Sequence, residues 1–205
     1  AGCCADRLRV LPCCLDARFE AEALALPLHQ PSTLPLQVLF IGRLDSYKRL
    51  DWLVGALSAL DQSWQLDVVG DGPLRAGFEA QALGLPVTFH GRVDETSKLH
   101  QLARADVLVL PSDRSNEAFG IVQLEAMAAG VPALAFARKR SGMAWVSALP
   151  GLPWSQSPGD LSAVLQDLVS DAQLRSRLSV QARDRYQRVF SRKVWLEQLG
   201  ALRSR

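Results

Sequence analysis

"LQVLFIGRLDSYKRLDWLVGALSALDQSWQLDVVG", Leu36 to Gly70, decides the fold. It opens on an apolar run ending in glycine, Leu36 to Gly42, and closes on a second such run, Trp64 to Gly70. Between them the apolar residues follow a helical period over Tyr47 to Leu60, with Leu50, Leu53, Val54 and Leu57 on one face. Near-continuous apolar strands are what a parallel sheet covered on both sides requires, and parallel neighbours need a crossover. The unit therefore reads strand, helix, strand.

The same alternation continues outward: a helix through Leu83, strand Val87 to Gly91, helix Thr96 to Ala105, strand Asp106 to Ser112, helix Gly120 to Ala129 and strand Val131 to Ala137. This predicts an α/β fold, a Rossmann-like, doubly wound parallel sheet with helices on both faces. After Gly159 the pattern turns helical, over Asp160 to Val169, Ala172 to Phe190 with Asp171 as the cap between them, and Lys193 to Leu202.

Composition narrows the function classes. The chain has 205 residues, 48% hydrophobic and 21% charged, enough apolar material for a real core. A net charge of +2 is too mild for a nucleic-acid surface, and Arg138, Lys139 and Arg140 form the one dense basic cluster before the tail, read as a solvated loop. No apolar stretch approaches the ~20 residues of a membrane span, so the expectation is a soluble, cytoplasmic protein. The cysteines are adjacent pairs, Cys3 with Cys4 and Cys13 with Cys14, a spacing that suits neither an ordinary bridge nor a zinc site and reads as reduced thiols. His29, His90 and His100 lack triad or metal spacing and read as structural, and Trp52, Trp64, Trp154 and Trp195 as packing.

In doubly wound sheets ligands sit outside the carboxyl ends of the strands, so the loops there are searched for chemistry. Gly42 permits close backbone approach, and Arg43 and Lys48 bring two cations to one strand end. With Gly120 at the start of a helix, they form a candidate cradle for a diphosphate. The turn at Gly72 is uninformative alone. Glu125 lies on one helical face with Ile121 and Ala128, a face that should pack. A buried carboxylate needs donors; sugar hydroxyls such as a ribose diol are one answer, and a backbone or arginine partner is the other.

The motifs "GRLDSYKRLDWLV", "VVGDGPL", "FHGRV", "ADVLVLPS" and "EAFGIVQLEAMAAGVPALA" resemble, in order and spacing, the carboxyl-terminal donor-binding domain of glycosyltransferase family 4, retaining enzymes of the GT-B fold, over about Leu8 to Phe190. The resemblance implies that residues 1–35 are an interdomain linker with the remnant of an amino-terminal domain, 36–190 the nucleotide-sugar-binding unit and 191–205 a carboxyl-terminal helix. It implies that Arg43 and Lys48 bind the donor diphosphate and stabilise the leaving group, that Glu117 faces the transferred sugar, and that Glu125 accepts from the ribose. Phe119, Gly120, Ile121 and Val122 would approach the donor through their backbone, and Val93 the base. The donor would be a UDP- or GDP-linked sugar, with no cofactor and no metal. The acceptor would be a glycan or lipid-linked glycan held by the missing half, which would bring the protein peripherally to the inner face of a membrane. Departures from the family pattern are Cys13 and Cys14 where an Asn-Gly is usual, and "ARKRSG" (Ala137 to Gly142) where a glycine pair is usual. Rival readings are a noncatalytic nucleotide-sugar-binding module or partner subunit, and an epimerase-like domain.

Overall fold

The computed structural model describes residues 10–28, 35–114, 117–152 and 154–203. Cys3, Cys4 and His29, read above as thiols and a structural histidine, lie outside the described residues.

Five parallel strands, β1 (Leu36–Ile41), β2 (Trp64–Val69), β3 (Val87–Gly91), β4 (Val107–Leu110) and β5 (Ala133–Ala135), pair in the order β3-β2-β1-β4-β5. The chain starts at the centre, winds outward through β2 and β3, then crosses back to lay β4 on the other side of β1. The register pairs Leu36 with Trp64 on one flank and Val38 with Val107 on the other. Every residue of β4 is buried, and in β1 and β2 all but the second, which accounts for their unbroken apolar reading.

The helices are α1 (Ala17–Ala25), α2 (Leu50–Ser58), α3 (Arg75–Gln81), α4 (Glu95–Arg104), α5 (Val122–Ala128), α6 (Met143–Ser147), α7 (Leu161–Ser170), α8 (Ala172–Arg185) and α9 (Arg192–Arg203). Right-handed crossovers place α2 and α3 on one face and α4 and α5 on the other. The contacts agree: α2 meets α3 and α7, while α1 meets α4 and α5, and α8 meets α5.

Several expected elements change at their ends. The helix read from Tyr47 is a 3-10 turn over Ser46–Lys48, then Arg49 in the left-handed region at φ 49°, and only then α2. The fourth helix starts at Val122 rather than Gly120, because Gly120 holds φ 69° and cannot be helical. The last strand shortens to Ala133–Ala135, and α8 runs into a π-helical turn, Tyr186–Phe190.

Within residues 1–35, α1 was not anticipated. Asp16 caps it, accepting from the Arg18 and Phe19 amides at 2.8 and 3.2 Å, and Leu15, Phe19 and Ala23 bury one stripe. The carboxyl-terminal elements clasp this segment. Glu20 accepts from the Tyr186 hydroxyl at 2.8 Å and the Arg192 amide at 2.7 Å, and Trp195 donates to the Pro12 carbonyl at 3.0 Å. Burial and the adjacent Glu20 carboxylate both push the Tyr186 hydroxyl pKa up. Cys13 and Cys14 are free thiols.

At the amino edge of the sheet, Asp106 accepts from the Gln37 amide at 2.9 Å, and its other oxygen lies 3.3 Å from Arg175 Nε of α8. Arg175 also donates to the Leu168 carbonyl and, at 3.3 Å, to that of Val169. Both charged side chains are fully enclosed, so removing one leaves the other uncompensated. Arg175→Met is expected to cost about 3–5 kcal/mol, read as a lower urea midpoint at unchanged slope.

Candidate donor site at the carboxyl edge

The strand order reverses between β1 and β4, and the carboxyl ends of these two strands flank the crevice where such sheets bind ligands. The chain leaving β1 is turned back on itself. Asp45 caps the 3-10 turn, its carboxylate accepting from the Ser46 amide at 2.7 Å, and Arg49 then takes the left-handed conformation, costing roughly 1–2 kcal/mol for a residue with a Cβ. Its guanidinium offsets that cost. It grips Asp51 through two nitrogens at 3.0 and 2.6 Å, reaches Asp113 at 3.3 Å and lies 3.8 Å from the centre of the Trp52 ring.

This reversal aims Lys48 back over the strand end, its Nζ 3.6 Å from where a Cβ on Gly42 would stand. There it forms an ion pair and hydrogen bond with Glu117, from the loop after β4, the two side chains 8% and 18% exposed. Three more hydrogen bonds fix that loop. The Asp113 amide donates to the Tyr47 carbonyl at 3.0 Å. From the loop after β5, Ser141 Oγ donates to the Glu117 carbonyl at 2.6 Å and the Gly142 amide to that of Ala118 at 2.7 Å.

Glu125 occupies the first turn of α5 and faces α4, where Lys98 Nζ donates to its Oε1 at 2.7 Å; the side chains are 12% and 19% exposed. Burial raises the Glu125 carboxyl above its ordinary pKa, with Lys98 pulling the other way and Glu95 adding a smaller upward push. Its Oε2 is buried and has no hydrogen-bond donor among the described residues. The acid inside an apolar helix therefore does have a protein counterpart, and that counterpart engages one of its two oxygens.

The other expected site residues divide. Arg43 is not gathered with Lys48: its side chain is 68% exposed, 3.5 Å from Asp45. Gly72 is explained by chain packing, since a Cβ there would stand 2.3 Å from the Leu44 carbonyl oxygen. Gly120 is required by its positive φ and by Leu110, 2.7 Å from a Cβ position. Phe119 packs edge-on against Trp145 and Phe190, with centroids 6.4 and 6.2 Å away. Val122 and Val93 are half-buried against the core, and Ile121 is 44% exposed. His90 bonds Asp67 of β2 at 2.6 Å, and Trp52 and Trp154 both pack on Phe136.

The family model for glycosyl transferases group 1 matches residues 35–170, spanning the whole sheet and every candidate site residue. The chain belongs to that family. A GDP-mannose-dependent alpha-(1-6)-phosphatidylinositol dimannoside mannosyltransferase of Mycobacterium tuberculosis is 40% identical over 106 residues, 49% of this chain and 27% of that protein. A D-inositol 3-phosphate glycosyltransferase of Jonesia denitrificans is 30% identical over 191 residues, 82% of this chain and 42% of that one. The chain thus spans less than half the length of these curated relatives. Among solved structures, a sucrose-phosphate synthase of Thermosynechococcus elongatus superposes with a TM-score of 0.73 at 28% identity, covering 96% of this chain and 52% of that one. A lipopolysaccharide outer core galactosyltransferase gives a TM-score of 0.76 at 21% identity, over 99% and 57%, a likeness of fold.

Membership in the family does not itself say which groups act, but the structure shows which were invisible in the sequence. Lys98, Asp113 and Ser141 enter the site through tertiary packing and sit in none of the quoted motifs, while Arg49 stands inside one that does not mark its left-handed turn. The Lys48–Glu117 pair is the joint of this arrangement, and its strength is measurable. A double-mutant cycle of Lys48→Met and Glu117→Gln is expected to give a coupling of about 1–3 kcal/mol in urea unfolding, the double variant recovering part of what Lys48→Met loses.

Proposed function

We propose that this chain is the donor-binding half of a retaining glycosyltransferase of family 4, moving a sugar from a nucleoside-diphosphosugar to a glycan or lipid-linked acceptor held by an amino-terminal domain. The observation that carries the reading is the pairing of Lys48 with Glu117 at the point where the strand order reverses, with the half-satisfied carboxylate of Glu125 on the helix that follows the same loop.

Each group then has a chemical task. The diphosphate lies over the end of β1, where Lys48, an ammonium already desolvated and fixed, stabilises the charge that grows on the departing phosphate without reorganising. Arg43 joins it from the rim. Its exposed contact with Asp45 is worth little and is readily exchanged for phosphate, so the liganded site regains the second cation. Glu117, with Lys48 shared toward phosphate, faces the transferred sugar. Glu125 accepts from the ribose diol through Oε2. The acceptor oxygen bonds to the anomeric carbon on the face from which the phosphate leaves, the carbon–oxygen bond to phosphate breaks, and the acceptor's proton passes to a phosphate oxygen. Configuration is retained, and the cations do the work a metal does in other transferases.

The mycobacterial relative is named for GDP-mannose, which favours a guanine nucleotide here, and inositol lipids or inositol phosphate in the relatives' names favour a phosphorylated or lipid acceptor. No helix among the described residues is long and apolar enough to cross a membrane. The rival reading, a binding module without turnover, makes the same demands on Glu125 and none on Glu117.

Calorimetry with GDP and UDP separates the two acids. Glu125→Gln is expected to weaken nucleotide binding by about tenfold, the loss of one charge-assisted hydrogen bond, while Glu117→Gln leaves it within about twofold and abolishes transfer in a chain carrying the acceptor domain. Equal nucleotide affinity for wild type and Glu125→Gln would remove the ribose assignment, and undiminished transfer by Glu117→Gln would remove the other.

A further inference from the structure

Lys98 belongs to no motif of the sequence, yet it is the one described side chain that engages the Glu125 carboxylate. Three observations mark it as more than a surface lysine. Its side chain is 19% exposed and held from two sides, hydrogen-bonded to Glu125 Oε1 at 2.7 Å and lying 4.7 Å from the centre of the Phe19 ring of α1. It also stands in the first turn of α4, fixed there because Asp94 caps the helix by accepting from the Ser97 amide at 2.7 Å. A cation at that end opposes the helix macrodipole, so the placement costs α4 stability. Finally, Lys98 satisfies one carboxylate oxygen and leaves the other buried and unpartnered.

We propose that Lys98 is the positioning residue for Glu125: it holds Oε1, keeps the acid ionised inside a packed helix face, and presents Oε2 as the acceptor for a vicinal diol, the ribose of a nucleoside diphosphate. The inference rests on the donor-binding reading of the site. It adds a group that touches no substrate yet sets the charge and aim of one that does.

The electrostatics around Glu125 are few. Lys98 and Glu95, both from α4, are the charges that act on it. The charged groups that the other packed elements bring near α5 are committed elsewhere: Glu20 of α1 to Tyr186 and the Arg192 amide, and Arg183 of α8 to the carbonyls of Ala128 and Leu26 at 3.2 and 2.8 Å. Arg188 of the π turn pairs with Asp184 at 2.7 Å, and Arg185 donates to the Trp145 and Val146 carbonyls at the far side of α6. Without Lys98, burial acts unopposed and the carboxyl takes up a proton at a higher pH. A protonated carboxyl is a poorer acceptor, so the binding that depends on it falls as pH falls.

The test is calorimetry on this chain with GDP, UDP and their 2′-deoxy forms across pH. Wild type is expected to bind one ribonucleotide evenly from about pH 6 to 8 and to prefer it over its deoxy form. Lys98→Met is expected to bind about tenfold more weakly at neutral pH, to weaken further as pH falls, and to lose the ribose preference; Lys98→Arg restores all three. Carbon-detected titration of the Glu125 carboxyl without ligand should show it rising in Lys98→Met, and Lys98→Gln supplies the same readout if the methionine variant folds poorly. Wild-type affinity with a flat profile in Lys98→Met overturns the proposal. So does tighter binding, which would make Lys98 a competitor for the acid. If Glu125→Gln loses affinity while Lys98→Met does not, the donor site stands and only the role of Lys98 falls. If wild type binds neither nucleotide, the donor reading falls and takes this inference with it.

Discussion

A lysine ammonium buried at the end of a β-strand needs a carboxylate, and Lys48 finds one across the gap that opens where the sheet reverses its order. Lys48 and Glu117 meet there, 69 residues apart in the chain. Their union fixes two loops that the sheet itself leaves free, since β1 and β4 pair by register only at Val38 and Leu39, well short of the carboxyl edge. The left-handed turn at Arg49, the Arg49–Asp113 contact and the Ser141 hydrogen bond all serve to hold these two side chains in place. Desolvation of two charges is costly, and the chain accepts that cost at an edge where a charged ligand would be received.

The opposite edge obeys a different rule. Asp106 and Arg175 are fully enclosed, and they pair with each other while Asp106 also accepts from the Gln37 amide and Arg175 donates to the Leu168 and Val169 carbonyls. Their effect is to pin the α7–α8 corner to the start of β4. On the far side of that corner α8 continues to Tyr186, at the start of the π turn, which reaches Glu20 and so ties α8 to α1. The sheet is thus braced at its amino edge, leaving the carboxyl edge to loops.

The order of strands and helices was legible in the residues because both-face burial leaves an unmistakable mark: Leu36–Ile41 and Val107–Leu110 admit almost no polar side chain. The demand made by Glu125 was legible too, since a carboxylate on a packing face must find a donor. What that donor is was not, because Lys98 reaches it only through the docking of α4 on its neighbours. Arg43 and Lys48 look equivalent in sequence, yet the left-handed Arg49 turns one inward and leaves the other in water. A left-handed arginine has no sequence signature; its tolerance comes from Asp51, Asp113 and Trp52, two of which are local and one 64 residues away. By contrast α1 was readable, with Asp16 at its cap and Leu15, Phe19 and Ala23 at helical spacing. These local signals fall in a stretch that the family resemblance reads as a linker.

Two kinds of buried charge therefore coexist in one domain, and the difference between them is partnership rather than depth. Asp106 and Arg175 face each other, and each is also bonded to backbone, Asp106 to the Gln37 amide and Arg175 to the Leu168 and Val169 carbonyls. At the carboxyl edge Glu125 keeps Oε2 buried and unmet among the described residues, while Lys98 sits against the dipole of its own helix. Neither choice helps the free protein fold. On the donor-binding reading proposed above, a ligand hydroxyl would fill the open position and recover part of that cost in the complex, which gives both departures from good packing a common physical reason.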